Sequence, residues 1–312
     1  MQQPDDLKHR VFPLAGGTAS MPAIGFGTLI SGAVETKIAT RSALEAGFRH
    51  LDCAERYGNE EQVGEAIRES LLGRTFARDD LFVTTKLWNS NHRPERVRPA
   101  FEASRAKLQV DYIDLYLIHT PFAFQPGDNQ DPRDARGNII YDEGVTLKDT
   151  WRAMEALVAP GKLKAIGLSD IGLEQLREVF DSANIKPAVV QVESHPYLPQ
   201  TELLEFCTKN GIVMLAFAPL GHGMKPGVLE DRVITGIARR VNQTPAQVLL
   251  AWAVQRGTAV LTTPKTPARA RENWNIAALP EDAMAEINAI KTRQQFNPVT
   301  ATGIPGFIAK GN

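Results

Sequence analysis

A single rhythm constrains this chain more than any other feature. From residue 24 onward, short β-rich runs alternate with helical segments without interruption. The strand-like runs fall at 24–27, around Leu51, and at 81–86, 113–119, 165–169, 188–193, 212–217 and 258–262. Helical spacing, with apolar residues three and four apart, follows at 35–46, 61–72, 94–107, 147–158, 173–180, 202–210, 233–241 and 281–291. Such alternation predicts a parallel sheet of the α/β class. Eight units is the number that closes a (β/α)8 barrel, the TIM-barrel architecture. An open doubly wound sheet is the alternative. It would carry GxGxxG after the first strand. Residues 25–32 read GFGTLISG and lack that spacing.

The chain is therefore expected to be one barrel domain over 1–312, with an N-terminal β-hairpin and long loops at its C-terminal face. The hairpin is read over 10–21, where two apolar stretches flank Ala15-Gly16-Gly17, and is expected to plug the barrel's N-terminal end. In the helix at 35–46, Ile38, Ala39, Ala43 and Leu44 are expected on the buried face, and Gly47 stops the helix. The stretch 120–146 has prolines, glycines and acids but little periodicity. A long irregular loop in a compact domain is usually functional or disordered, and after the fourth strand it would overlie the mouth. The tail from 294 is a second irregular segment.

Composition excludes several classes. The chain is 43% hydrophobic and 23% charged, an ordinary soluble globular balance. A net charge of -1 and the lack of a basic stripe give no hint of nucleic acid. No apolar run is long enough to span a membrane, and the polar start has no signal region. The two cysteines, Cys53 and Cys207, fit neither a disulfide nor a metal pattern. A cytoplasmic, metal-free monomer is expected.

In a barrel, chemistry collects where strands end. The second, third and fourth strands end at Asp52, Lys86 and His119, one βα period apart, and Tyr57 lies on the loop just after Asp52. Taken singly, each has an ordinary alternative: a surface tyrosine, a rim lysine, a core histidine, a capping aspartate. Together they form a tuned proton donor. A free tyrosine titrates near 10, and a nearby ammonium is expected to pull that value down. A carboxylate holds the lysine charged, and a neutral imidazole orients a substrate oxygen. This set suits protonation of a carbonyl oxygen, which calls for a hydride donor, hence a nicotinamide.

The same residues carry a resemblance. The run Gly47-Phe-Arg-His-Leu-Asp-Cys-Ala-Glu-Arg-Tyr-Gly-Asn-Glu60, Lys86 in TTKLW and His119 in LIHTP resemble the signatures of the aldo-keto reductase family, over nearly the whole chain. The resemblance implies a catalytic tetrad of Asp52, Tyr57, Lys86 and His119, with Tyr57 as general acid. It implies cofactor contacts from Thr28 and Asp52, and from Ser169 and Asp170 in AIGLSD, where Asp170 replaces the family's asparagine. An ionised Asp accepts from a carboxamide NH2 but cannot donate to its oxygen. Gln191, in QVESHP, would bind the carboxamide; Phe217 would stack on the nicotinamide; Leu220 and Gly221 would line the pyrophosphate path.

Lys265, Thr266 and Arg269 offer a point charge, a hydroxyl and a guanidinium to a 2′-phosphate, which favours NADPH over NADH. The segment joining Thr266 to Arg269 is shorter than the family's. Glu272 and Asn273 match its adenine contacts. The substrate pocket is drawn from Leu29, Arg56, Trp88, Thr120, Phe122, Phe296 and Val299, with Phe124 and Phe307 as further loop candidates. Leu29 and Thr120 stand where relatives carry aromatics. Arg56 is expected to favour polar or acidic carbonyls. The expected activity is NADPH-dependent reduction of a small-molecule aldehyde or ketone. Two rivals remain: a lyase with a Schiff base on Lys86, and a cofactor-binding sensor or regulatory subunit.

Overall fold

The computed structural model describes residues 6–298 apart from 18, 75, 159 and 160. Strands β1 (Val11–Pro13) and β2 (Ser20–Pro22) form an antiparallel hairpin. Eight parallel strands follow: β3 (Ile24–Gly27), β4 (His50–Asp52), β5 (Phe82–Leu87), β6 (Ile113–Ile118), β7 (Leu163–Ser169), β8 (Val189–Glu193), β9 (Val213–Phe217) and β10 (Ala259–Thr262). They close into a barrel in chain order, with β10 paired to both β9 and β3.

Side chains alternate across each strand, and that sorts the core into two layers. Leu115 and Leu117 of β6 face the barrel interior with Phe82, Val189, Leu215 and Leu261. Tyr116 and Ile118 face outward onto the helices. Leu14, just after β1, and Met21 of β2 join the interior cluster alongside Phe82, Val213 and Ala259 at strand starts. The hairpin thus closes the N-terminal end.

The outer layer comprises α1 (Ala33–Ala46), α2 (Glu60–Leu72), α3 (Pro94–Lys107), α4 (Leu147–Glu155), α5 (Leu173–Ser182), α6 (Thr201–Lys209), α7 (Arg232–Arg240), α8 (Pro245–Gln255), α9 (Pro267–Trp274) and α10 (Glu281–Asn288). Gly47 ends α1 at φ 116°, a left-handed cap. Ile38 departs from expectation. It is 56% exposed, because the buried stripe of α1 runs through Thr36, Ala39, Thr40, Ala43 and Leu44 instead. Helices α8 and α9 were not foreseen. Seven residues of α8 in a row, Val248 to Val254, are buried, so the helix shows no amphipathic period. Among the described residues no helix is long and apolar enough to cross a membrane.

Candidate active site

Strand parity builds the site. Lys86 lies four residues after the inward Phe82, and His119 two after the inward Leu117, so both point into the C-terminal mouth. Asp52 ends β4 in register with Thr84 of β5. Tyr57 rides on a 3₁₀ turn, Glu55–Tyr57, directly after β4. That turn is pinned from two sides. The Glu55 carboxylate accepts from the Trp88 amide at 3.1 Å and from Asn91 Nδ2 at 2.7 Å. Asn59 Nδ2 donates to Thr28 O at 2.7 Å. Glu60, buried at the start of α2, accepts from Thr85 and Ser104.

The four strand-end groups meet. Lys86 is fully buried, and its Nζ donates to Asp52 Oδ2 at 2.6 Å, Cys53 O at 3.0 Å and the Tyr57 hydroxyl at 3.2 Å. The His119 ring stands edge-on to Tyr57 at 5.7 Å and to Trp88 at 5.1 Å. Burial opposes the charge on Lys86, but Asp52 and Tyr57 outweigh it and hold the ammonium charged. Burial, Lys86 and Arg56 together push His119 well below its ordinary value, so its imidazole is neutral.

The tyrosine corrects an expectation. Burial pushes Tyr57 up to about 12 against the pull of Lys86. The ammonium is already neutralised by Asp52 at contact distance, so less of its field reaches the phenol than its proximity suggests. Tyr57 is a neutral phenol with a proton to give.

A cleft of about 720 Å³ runs from this cluster across the barrel mouth. Leu29, Asp52, Tyr57 and His119 line one end; Ser169, Asp170, Gln191, Phe217 and Leu220 line the middle; Lys265, Arg269, Glu272 and Asn273 line the far end. Gln191 Nε2 donates one hydrogen to Asp52 Oδ1 at 2.8 Å, which leaves its carbonyl oxygen and its second N–H for a ligand. Asn273 Nδ2 donates to Thr262 at 2.7 Å. Thr266 caps α9, accepting from the Arg269 amide, rather than lining the cleft. Gly221 sits behind Leu220, where an added Cβ would stand 3.2 Å from Val228 and 3.3 Å from Phe296.

Other anticipated residues lie outside the cleft lining. Thr28 is fully buried and donates to Asp52 O at 2.9 Å, bracing β4 from behind. Trp88 is also buried, and its indole N–H donates to Gln130 O at 2.7 Å. Thr120 donates to Asn89 at 2.8 Å. Phe122 packs with Trp88 and Phe124, and Phe296 is buried against His195. Arg56 pairs with Asp131 of the 120–146 loop, so its charge is already neutralised before any acidic substrate arrives. Val299 and Phe307 lie outside the described residues.

The cleft also takes in residues that sequence reasoning passed over: His222 and Gly223, Thr263, and 244–246 at the start of α8. A local signal existed for the last group. Thr244-Pro-Ala-Gln247 is a capping box with proline at the first helical position.

A closed (β/α)8 barrel with a lysine–carboxylate–phenol cluster at the head of a long mouth cleft is the frame of a nicotinamide-dependent oxidoreductase. The Aldo/keto reductase family matches residues 23–292. Aldo-keto reductase family 1 member A1 of Rattus norvegicus is 42% identical over 287 residues, 88% of each chain. The Sus scrofa protein of the same name is 43% identical with the same coverage. The aldose reductase of Schistosoma japonicum superposes with a TM-score of 0.88 at 38% identity, covering 93% of this chain and 95% of that one. This chain belongs to the aldo/keto reductase family, a family of NAD(P)H-dependent oxidoreductases.

Proposed function

We propose that the protein reduces an aldehyde or ketone to the alcohol with NADPH, with Tyr57 as general acid. The observation that carries this reading is the buried Lys86 ammonium, held between Asp52 and the Tyr57 hydroxyl at the head of the cleft. When bound, NADPH supplies a hydride to the carbonyl carbon.

The residues present suit that cofactor. At the far end Lys265 and Arg269 form no ion pair among the described residues, and neither has a side-chain hydrogen bond there. Two uncommitted cations beside the start of α9 fit a 2′-phosphate. In the middle, the Gln191 carbonyl accepts from a carboxamide N–H, and the Phe217 ring offers a stacking face. Leu220 would line the pyrophosphate path, and Glu272 and Asn273 would hold the adenine.

Charge builds on the substrate oxygen as the carbonyl carbon is reduced. Tyr57 gives its proton to that oxygen, and the phenolate it leaves is stabilised by the Lys86 ammonium at hydrogen-bond distance. The high intrinsic value of Tyr57 keeps that proton on the phenol at neutral pH until an acceptor is in place. Asp52 keeps Lys86 charged and oriented. His119, neutral, donates to the same oxygen from the other side and sets its direction. Leu29 lines the substrate side of the cleft.

The decisive variant is Tyr57→Phe. Loss of general acid catalysis lowers turnover by about 10²–10⁴-fold, with NADPH affinity, followed by nicotinamide fluorescence, left within a few fold. Near-full carbonyl reduction by Tyr57→Phe would overturn the assignment. A panel of aldehydes, ketones and sugar aldehydes, the last suggested by the structurally similar aldose reductase, run with both NADPH and NADH, reads substrate class and cofactor preference together.

A further inference from the structure

We propose that Glu193 is a positioning residue for the cofactor: it holds Phe296 as a wedge beneath the cleft segment 218–223 and so sets how tightly NADPH is gripped there. This rests on the nicotinamide reading of the cleft, and neither side chain is among those that line it.

Glu193 ends β8, two residues after Gln191 and so on the same face of the strand. Its carboxylate is 2% exposed, yet it pairs with no lysine or arginine among the described residues. A buried carboxylate without such a partner must be satisfied by hydrogen bonds. Oε1 accepts from the Phe296 amide at 2.7 Å and Oε2 from the Asn297 amide at 2.8 Å, while His195 Nε2 stands 2.9 Å from Oε1. Two of the three partners therefore lie on the segment after α10, and bonds from backbone N–H to a carboxylate are about twice as strong as neutral ones. The Gln294 amide adds a bond to Tyr197 O at 3.1 Å. Residues 294–297 are thereby fixed against the end of β8 and the loop that follows it.

The fixed segment delivers one ring. Phe296 is buried, with its ring tilted against His195 at 4.9 Å. The ring also reaches Gly221, where an added Cβ would stand 3.3 Å from Phe296 Cε2 and 3.2 Å from Val228 Cγ2. Gly221 thus rests directly on Phe296 and Val228. Its neighbours Ala218, Pro219, Leu220, His222 and Gly223 line the cleft. The same short stretch has the cofactor cleft on one side and Phe296 on the other.

That stretch needs a support. Ala218 has φ 51° and His222 φ 48°, both in the left-handed region. Residues with a side chain stay there only where their surroundings over-determine the backbone. Without the Phe296 ring a cavity opens beneath Gly221, and the stretch can relax into it, away from a bound cofactor. Tyr57, Lys86 and His119 belong to β4, β5 and β6 or the residues just after them, at least three strands round the barrel from β9. The carbonyl end of the site is therefore expected to feel little of the change.

The test uses the full chain as wild type, Phe296→Ala, Phe296→Leu, Glu193→Gln and the double variant Glu193→Gln/Phe296→Ala. Glu193→Gln keeps the shape but turns an NH2 group toward one of the two amide donors. NADPH affinity and dissociation rate are followed by nicotinamide fluorescence, and KM for the carbonyl is measured at saturating NADPH. Phe296→Ala and Glu193→Gln are each expected to bind NADPH about three- to thirtyfold more weakly and to release it faster, with KM for the carbonyl close to wild type. Phe296→Leu, which keeps much of the bulk, is expected to recover most of the affinity. Because Glu193 acts through Phe296, the double variant is expected to be no weaker than the weaker single variant. Wild-type NADPH affinity and release in Phe296→Ala overturn the proposal, as does a double variant whose loss is the product of the two single losses. Should Glu193→Gln fail to fold, Phe296→Ala and Phe296→Leu decide it alone: equal losses in the two, or none in either, overturn it. These outcomes leave the cofactor assignment standing, whereas wild type that binds no NADPH removes that assignment itself.

Discussion

Every hydrogen of Lys86 has a partner inside the barrel, and only one of those partners is charged. Asp52→Asn keeps the Gln191 bond, because an amide oxygen can still accept it, but leaves a buried ammonium without a counter-ion. Removing one member of a buried pair typically costs about 3–5 kcal/mol. We expect Asp52→Asn to lose that order of stability in urea unfolding and most carbonyl reduction besides. The double variant Asp52→Leu/Lys86→Met, inactive, should recover part of the stability because no charge is stranded. A loss below about 1 kcal/mol in Asp52→Asn would show that the pair does not hold Lys86 in place. At this scale the sequence was legible where residue type and strand parity decide, which is why Asp52, Lys86 and His119 could be read at strand ends. It was silent on depth. The rise of Tyr57 to about 12 comes from burial, which no motif records. Partners remote in the chain were also hidden: Gln130 for Trp88, Asn89 for Thr120 and Asp131 for Arg56 turn three anticipated pocket residues to other tasks.

Between elements, α2 approaches the end of α3 closely at Gly64. A Cβ there would lie 2.3 Å from Lys107 O and 2.7 Å from the Leu108 carbonyl carbon, so α2 crosses the end of α3 backbone to side-chain-free backbone. Backbone cannot rotate aside as a side chain can. Gly64→Ala must push the helices apart, and overpacking of this kind costs about 1–3 kcal/mol. Gly236 is the natural control. It lies inside α7, is exposed, and a Cβ there meets nothing within 4 Å. Gly236→Ala should gain roughly 0.5–1 kcal/mol from helix propensity alone. Thermal or urea midpoints that move the same way in both variants would refute the contact argument. The elements themselves were largely readable, because amphipathic helices and β-branched strands announce their periods. The helix α8 was not, because burial on all sides erases the stripe and only its capping box marks it. Ile38 misled for the converse reason: an apolar residue at a helical spacing can still face solvent.

Across the whole molecule, three fully buried histidines tie stability to pH. Burial lowers His50 to about 4 and His92 to about 3, and holds His119 well below 6.5. Each binds its proton more readily in the unfolded chain, so between the folded and unfolded values the unfolded state carries more protons. Stability therefore rises with pH in that window and is lost as pH falls from about 6.5. Glu60 and Asp170, whose carboxyls are raised chiefly by burial, act with the opposite sign, so the net acid curve alone cannot isolate the histidines. A difference can. His92 sits between β5 and α3, its carbonyl accepts from Thr150 of α4 at 2.8 Å, and its Nε2 has no partner among the described residues. Replacing it with glutamine removes one titrating group and changes packing by an amount that does not depend on pH. From the two His92 values, wild type should lose roughly 2 kcal/mol relative to His92→Gln between pH 7 and pH 5. Urea unfolding of both proteins at the two pH values measures this directly. A stability difference that stays constant across that interval would mean that His92 titrates normally in the folded chain, and that its burial does not keep it neutral.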